Sequence, residues 1–288
     1  MKELLILSGK GGTGKTTIAS AFIKLSQAKA FADCDVDAPN LHLVINPSTT
    51  PKTFDYYGMD KGYINLDKCN SCGLCYQHCA FDAIKPYGDT YKIDYYSCEG
   101  CGVCEKICPT GAVSLKQYVA GELMLYRDDN IFSTAQLKMG NGTSGLLVSE
   151  VKKQMKSAIS QDLDLAIIDG SPGIGCPVIA SISGVDMVLI VAEPSISGIS
   201  DMKRIISTTR KFHTKTAVCV NKYDTNLHKT EEIKDICRDL TIPYLGGIPF
   251  DKSVVEIINN GKSIVDIHCA AGVAAEKIFQ ETIKTLNM

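Results

Sequence analysis

The sequence has almost no net charge, no long apolar run and no leader-like opening. Thirty lysines and arginines face 32 aspartates and glutamates across 288 residues, a formal charge of -2. That balance argues against a nucleic-acid-binding surface, which needs a basic face to neutralise phosphates. No apolar run approaches the roughly 18 residues of a membrane span, so none is predicted. The chain reaches the apolar run Leu4-Leu5-Ile6-Leu7 within a few residues. The expectation is a cytoplasmic protein without a signal peptide. The length allows one large α/β domain plus a smaller one, and 45% hydrophobic residues suffice for a large core.

Cysteine is the exception to this plainness. There are 13, and eight of them fall between Cys69 and Cys108. In a secreted chain such density suggests disulfides; in a cytosolic one, at two-residue gaps, it suggests metal.

The apolar run is followed by Gly9-Lys10-Gly11-Gly12-Thr13-Gly14-Lys15-Thr16-Thr17, and then by Ile18, Phe22 and Leu25 at helical spacing. Strand, glycine loop and helix are the context of a phosphate-binding loop. Here Gly11, Gly12, Thr13 and Gly14 bring backbone N–H groups around a phosphate, and the helix start adds its positive dipole end. Lys15 reaches the β- and γ-phosphates, the Thr16 hydroxyl is placed to ligate Mg²⁺, and Thr17 completes the motif. A short second strand, Ala30-Phe31-Ala32, leads into Asp33-Cys34-Asp35-Val36-Asp37. Further on, Leu165-Ala166-Ile167-Ile168 ends in Asp169 and a Gly-Ser-Pro-Gly turn. An aspartate at a strand end downstream of a phosphate loop can hold Mg²⁺ through water.

The cysteines form two C-x2-C-x2-C-x3-C runs: Cys69, Cys72, Cys75 and Cys79, then Cys98, Cys101, Cys104 and Cys108. Each member of the second run follows its counterpart at one constant offset, as Cys98 follows Cys69. The repeat extends beyond the thiols, since Ile64 matches Ile93, Gly73 matches Gly102, and Ala83-Ile84 matches Ala112-Val113. Thiolates suit iron or zinc, and a disulfide framework is the alternative; two zinc sites more often use paired C-x2-C knuckles.

The lysine at position 10 makes the loop resemble the deviant Walker A motif of the MinD/ParA/Mrp ATPases. That resemblance implies an ATP-dependent dimer, of two copies or of related subunits, with Lys10 touching the nucleotide of the partner. It also implies that Asp35 orients the attacking water, with Asp33 and Asp37 as second choices. Asp169 then belongs to the Mg²⁺-holding strand, Asn221 contacts the adenine, and the segment containing Pro249 and Asp251 packs beside the base. The cysteine pattern resembles a bacterial two-cluster [4Fe–4S] ferredoxin, in which the fourth cysteine of each run ligates the other cluster. The ligand sets so implied are Cys69, Cys72, Cys75 and Cys108 for one cluster, and Cys98, Cys101, Cys104 and Cys79 for the other. One departure is Ala80 after Cys79, where ferredoxins usually carry proline.

The expected architecture is a mostly parallel α/β sheet of MinD-like type over 1–59 and 117–288. An α+β ferredoxin-like insertion is expected over 60–116. The character changes over 46–58, where Asn46 to Pro51 reads as turn-rich; Tyr118 to Tyr126 reads as an edge ribbon, and Gly140-Asn141-Gly142 as a turn. A helix is expected through Val151, Met155 and Ile159, and a last helix from about Ala270 to Leu286 with Val273, Ile278 and Ile283 on its apolar stripe. Cys34, Cys176, Cys219, Cys237 and Cys269 read as inert packing residues. The expected activity is ATP hydrolysis coupled to electron transfer, with ATP, Mg²⁺ and two clusters bound, a redox protein as partner, and neither nucleic acid nor membrane. The rival is an ATP-dependent cluster carrier, which the missing C-x2-C pair after Cys108 disfavours. A spatial regulator of ParA style leaves the cysteines without a role.

Overall fold

A computed structural model describes residues 1–160 and 162–288. The chain divides into two compact units: 1–53 with 124–135 and 145–288, and 54–123 with 136–144.

In chain order the first unit opens with β1 (Lys2–Leu7), α1 (Lys15–Ser26), β2 (Ala30–Asp33) and α2 (Leu41–Ile45). Then come β3 (Lys52–Tyr57), β4 (Lys61–Ile64), α3 (Leu74–Gln77), β5 (Ile84–Tyr87), β6 (Thr90–Ile93), α4 (Val103–Lys106) and β7 (Val113–Lys116). The chain continues through β8 (Val119–Arg127), β9 (Ile131–Leu137), α5 (Ser144–Ala158), β10 (Leu165–Asp169), α6 (Cys176–Ile182) and β11 (Met187–Ala192). It closes with α7 (Ile196–Lys211), β12 (Lys215–Asn221), α8 (Leu227–Asp239), β13 (Tyr244–Ile248), α9 (Ser253–Asn259) and α10 (Ala270–Asn287).

The main ladder runs β13-β12-β11-β1-β10-β2-β9-β8-β3. The pairs from β13 to β9 are parallel. Their residues form near-continuous apolar runs because helices cover both faces; every residue of β11 is buried, as are Leu4 to Leu7 of β1. β1 lies between β10 and β11, so the chain leaves the sheet in opposite directions on its two sides. The crevice beyond the C-terminal end of such a strand is where α/β sheets bind ligands. The register sets Asp33 beside Asp169 there. The helix α10 docks through Ala271, Ala275, Ile278 and Leu286, and Phe279 meets Phe22 edge-on at 5.1 Å. Val273, expected on that stripe, is exposed.

Two local expectations need correction, and one strand is unexpected. β3 follows the turn-rich run, and its residues are exposed apart from Tyr56, so it has no apolar period to read. β8 therefore lies between β9 and β3, and β3 is the edge strand. The helix through Val151 begins earlier, at Ser144, and takes in Gly145. A glycine usually weakens a helix, but a Cβ there would approach the Cys176 Cβ and carbonyl oxygen to 3.2 Å.

In the second unit three elements recur at the offset of the cysteine repeat: β4 as β6, α3 as α4, and β5 as β7. The strands pair antiparallel across the repeat, β4 with β7 and β5 with β6. Each short helix follows a glycine with positive φ, Gly73 at 75° and Gly102 at 78°, a conformation that glycine adopts without a Cβ clash. Ile64, Cys75, Ala83, Ile84, Ile93, Cys98 and Val113 form its core, with Cys69, Cys79, Cys104 and Cys108 packed against it.

Candidate functional site

In the first unit, residues 10–17 wrap from the end of β1 into α1 and line a cleft of about 1040 Å³. Gly12 and Gly14 hold φ at 78° and 89°, which turns the loop. Asp35, Asp37, Asn40 and Ser171 share the cleft wall. The Thr13 hydroxyl is buried there without a hydrogen-bond partner, an atom that a bound oxyanion or water would satisfy.

Asp169 is fully buried at the end of β10. Lys15 Nζ donates to its Oδ1 at 2.6 Å, and the Thr16 hydroxyl donates to its Oδ2 at 2.7 Å. The residues expected to hold phosphate and Mg²⁺ are thus gathered on one carboxylate. Burial pulls the Lys15 ammonium down, but Asp169, Asp33 and Asp35 outweigh it, and its pKa is raised. Mg²⁺ between Thr16 and Asp169 fits this donor set, because the hydroxyl and carboxylate already meet.

Asp33 plays a different part from Asp35. Its Oδ1 accepts from the Asp35 N–H, and its Oδ2 accepts from the N–H groups of Asn40 and Leu41. Asp33 therefore shapes the loop that carries Asp35, which is half-buried and faces the cleft. Burial first, and then the Asp169 charge, push the Asp33 carboxyl up from 3.8 to about 7. The folded state keeps this proton over a range where the unfolded chain releases it. Stability therefore falls as pH rises from about 4 through about 7. Asp33→Asn is expected to flatten that fall. The check is the melting midpoint of nucleotide-free protein at pH 5 and pH 8, in which wild type should lose ground to the variant at the higher pH.

Lys10 pairs with Glu193 at 2.6 Å and approaches the Ser197 hydroxyl at 3.5 Å. Lys10 also lines the cleft. Asn221 donates from its amide to the Thr13 carbonyl oxygen at 2.7 Å and accepts from the Lys222 N–H. With Pro249 and Asp251 it lines a second hollow of about 310 Å³, which also takes in Gly12, Gly14 and Thr17. Asp251 has both oxygens engaged locally, by Ser253 and Ala271.

In the second unit, Cys79 lines one cavity together with Cys98, Cys101 and Cys104. The Cys79 Sγ accepts from the Ala83 N–H at 3.3 Å, and the Cys108 Sγ accepts from the Ala112 N–H at 3.2 Å, the same bond in the two halves of the repeat. The Gly62 N–H donates to the Cys98 Sγ. Burial and then the neighbouring Cys98 push the Cys104 thiol up to about 11; burial, with Cys69 and Cys72 also contributing, raises Cys75. Among the described residues, no group of three or more His, Cys, Asp or Glu side chains is arranged to hold a metal ion.

The remaining cysteines divide. Burial holds Cys34 and Cys219 protonated, with pKa values pushed up to about 12, and Cys237 to about 11. Cys269 is only half-buried and caps α10 by accepting from the Gly272 N–H. Cys176 is exposed at the start of α6 rather than packed away. Among the described residues, no helix is long and apolar enough to cross a membrane. Sequence reasoning missed Glu193, the partner of Lys10, and Lys61. A lone carboxylate so far along the chain from Lys10 has no local signal.

Comparison with known proteins agrees with the cleft. The profile of the CobQ/CobB/MinD/ParA nucleotide binding domain matches residues 4–264. An uncharacterized protein of Methanocaldococcus jannaschii is 32% identical over 97% of this chain and 95% of its own. An uncharacterized ATP-binding protein of the same organism is 25% identical over 99% of this chain and 87% of its own. Among solved structures, the septum site-determining protein MinD complexed with Mg-ADP from Pyrococcus horikoshii aligns with a TM-score of 0.59 at 19% identity, covering 98% of this chain and 96% of that one. The profile covers most of the chain, and the chain belongs to the CobQ/CobB/MinD/ParA nucleotide-binding family.

Proposed function

We propose that this protein hydrolyses ATP and couples its nucleotide state to electron transfer through two [4Fe–4S] clusters. The observation that carries the redox half is the cavity wall shared by Cys79 with Cys98, Cys101 and Cys104. That is one four-thiol set with its distant member supplied by the other run, as the ferredoxin pattern requires. The N–H···S bonds at Cys79, Cys98 and Cys108 fit a cluster, since such donors hold and tune the sulfurs. A single zinc ion would need its thiolates within about 2.3 Å of one point, whereas a cube spreads four thiolates around a larger body. When bound, the clusters supply one-electron transfer. The second set would be Cys69, Cys72, Cys75 and Cys108.

At the nucleotide, the loop N–H groups cradle the phosphates and Thr16 with Asp169 holds Mg²⁺. Lys15 leaves Asp169 for the γ-phosphate, and Asp35 orients water. Lys10 leaves Glu193 to reach the nucleotide of a second copy or related subunit. In sequence the cysteine segments lie between Asp35 and Asp169, and chain connections join the two units on either side of them. Nucleotide state can then act on the cysteine unit through those connections, and a redox protein takes up or supplies the electrons.

The Lys10–Glu193 pair is partly exposed, with side-chain accessibilities of 40% and 24%. Such a pair contributes about 1 kcal/mol or less. Lys10→Ala is therefore expected to leave the melting midpoint and ATP affinity near wild type while lowering ATP turnover by about 10³-fold, the scale of a transition-state cation supplied in trans. Steady-state hydrolysis, with binding measured separately, checks the split.

The test of the coupling is EPR of anaerobically purified, dithionite-reduced protein, with iron and sulfide assays, repeated with and without Mg-ATP. The reading expects about eight irons per chain and a spin-coupled signal that ATP alters. Iron-free protein would end the redox half, and clusters released to an apoprotein on ATP addition would favour the carrier.

A further inference from the structure

We propose that Lys61 makes the two cluster sites unequal, so that the first electron taken up rests on the cluster held by Cys98, Cys101, Cys104 and Cys79. The proposal rests on the two-cluster reading above.

The internal repeat supplies its own control. Lys61 and Gly62 open β4, and their counterparts in the second half are Thr90 and Tyr91, which open β6. The counterparts differ in charge. Lys61 is buried, with 4% exposure. Its ammonium donates to the Cys98 carbonyl oxygen and lies 5.7 Å from the centre of the Tyr118 ring. Gly62, the next residue, donates its N–H to the Cys98 Sγ, and a Cβ on it would lie 3.7 Å from the Cys104 Sγ. The start of β4 therefore flanks the thiols of this one set. Thr90 brings only a hydroxyl, itself buried without a partner, and Tyr91 stacks on Tyr76 at 5.7 Å. The lysines of β5 and β6, Lys85 and Lys92, are exposed.

Reduction adds one negative charge to a cluster. A buried cation beside it stabilises that charge, and solvent screens the interaction little. No carboxylate forms an ion pair with Lys61 among the described residues. Three acidic residues of the same half oppose it. Asp94 and Glu99 are exposed and screened; Glu105 is half-buried, with Oε1 accepting from the Leu115 N–H at 3.1 Å. Lys61 is the more deeply buried of these charges, and it sits on the backbone of a ligand residue. Its effect outweighs theirs.

The experiment is an anaerobic redox titration followed by EPR, with iron counted in every sample, on wild type, Lys61→Gln, Lys61→Arg and Thr90→Lys. Glutamine keeps a donor for the Cys98 carbonyl and removes the charge. Wild type is expected to show two separated midpoints. Lys61→Gln should lower the higher one by about 59 mV, equivalent to a tenfold redistribution of one electron, and leave the lower one in place. Thr90→Lys should raise the lower one, so both changes narrow the gap from opposite sides. Lys61→Arg should keep the wild-type separation. Unchanged midpoints in iron-loaded Lys61→Gln, or a fall in the lower midpoint instead, would overturn the proposal and leave the clusters intact. Should Lys61→Gln fail to retain iron, Thr90→Lys decides, since an unmoved lower midpoint there refutes the role of buried charge. Iron-free wild type would instead refute the two-cluster reading itself.

Discussion

Lys15→Ala is expected to remove ATP turnover and to destabilise the nucleotide-free fold at the same time. The first loss follows from the loop: Lys15 is the ammonium that a phosphate-binding loop of this form sets on the β- and γ-phosphates. Cations placed on that charge are worth about 10³- to 10⁵-fold in rate. The second loss follows from Asp169. Its carboxylate is fully buried, Lys15 is its ion-pair partner at 2.6 Å, and Asp33 lies beside it in register. Breaking a buried pair by removing one partner typically costs about 3–5 kcal/mol, because the other charge is left uncompensated. Chemical denaturation of nucleotide-free protein measures this directly. The double variant Lys15→Ala with Asp169→Asn should recover much of the stability and none of the activity. A Lys15→Ala protein as stable as wild type would mean that the pair contributes nothing to the empty site. A variant that still turns over ATP would remove Lys15 from the chemistry.

The same pair shows why some of this site could be read from sequence and some could not. The glycine loop is legible because its chemistry is local: turning the chain around a phosphate needs glycines at fixed offsets, and the helix must follow at once. Asp169 is legible because a strand end places it, and the register of β1, β10 and β2 carries it to the loop. The cysteine unit is legible for another reason. A duplicated cysteine pattern duplicates its scaffold, so β4, α3 and β5 recur at the spacing of the thiols. Long-range pairings leave no such mark. Glu193 stands at the end of β11, and nothing near it in sequence announces Lys10. Lys61 looks like any strand lysine until the fold buries it against Cys98. β3 escaped because an exposed edge strand has no period to detect, and Gly145 hid a helix start because its close approach to Cys176 is a tertiary matter.

On the two-cluster proposal, Cys79→Ala and Cys108→Ala are each expected to lose one cluster, and the wrong one by a reading of sequence order. Cys79 belongs to the first run, yet it lines its cavity with Cys98, Cys101 and Cys104. Under crossed ligation its removal opens the set of the second run. About four irons of eight should leave, and alkylation of the unreduced protein followed by peptide mass mapping should then label Cys98, Cys101 and Cys104. Cys69, Cys72, Cys75 and Cys108 should stay protected. Cys108→Ala should give the opposite map. The two thiols are well matched for this comparison, since each accepts an N–H from the alanine four residues on, so the same local bond is lost in both. Labelling of Cys69, Cys72 and Cys75 in Cys79→Ala would mean that each run closes its own cluster. The cavity would then bring Cys79 to the second triplet for packing alone. Labelling of all the remaining thiols in both variants would mean that the two clusters stand or fall together. The unit would then behave as one cooperative core around Ile64, Ile84, Ile93 and Val113 rather than as two sites. The crossed outcome ties the halves of the repeat to each other through their ligands, so that neither half can open without releasing iron from both runs.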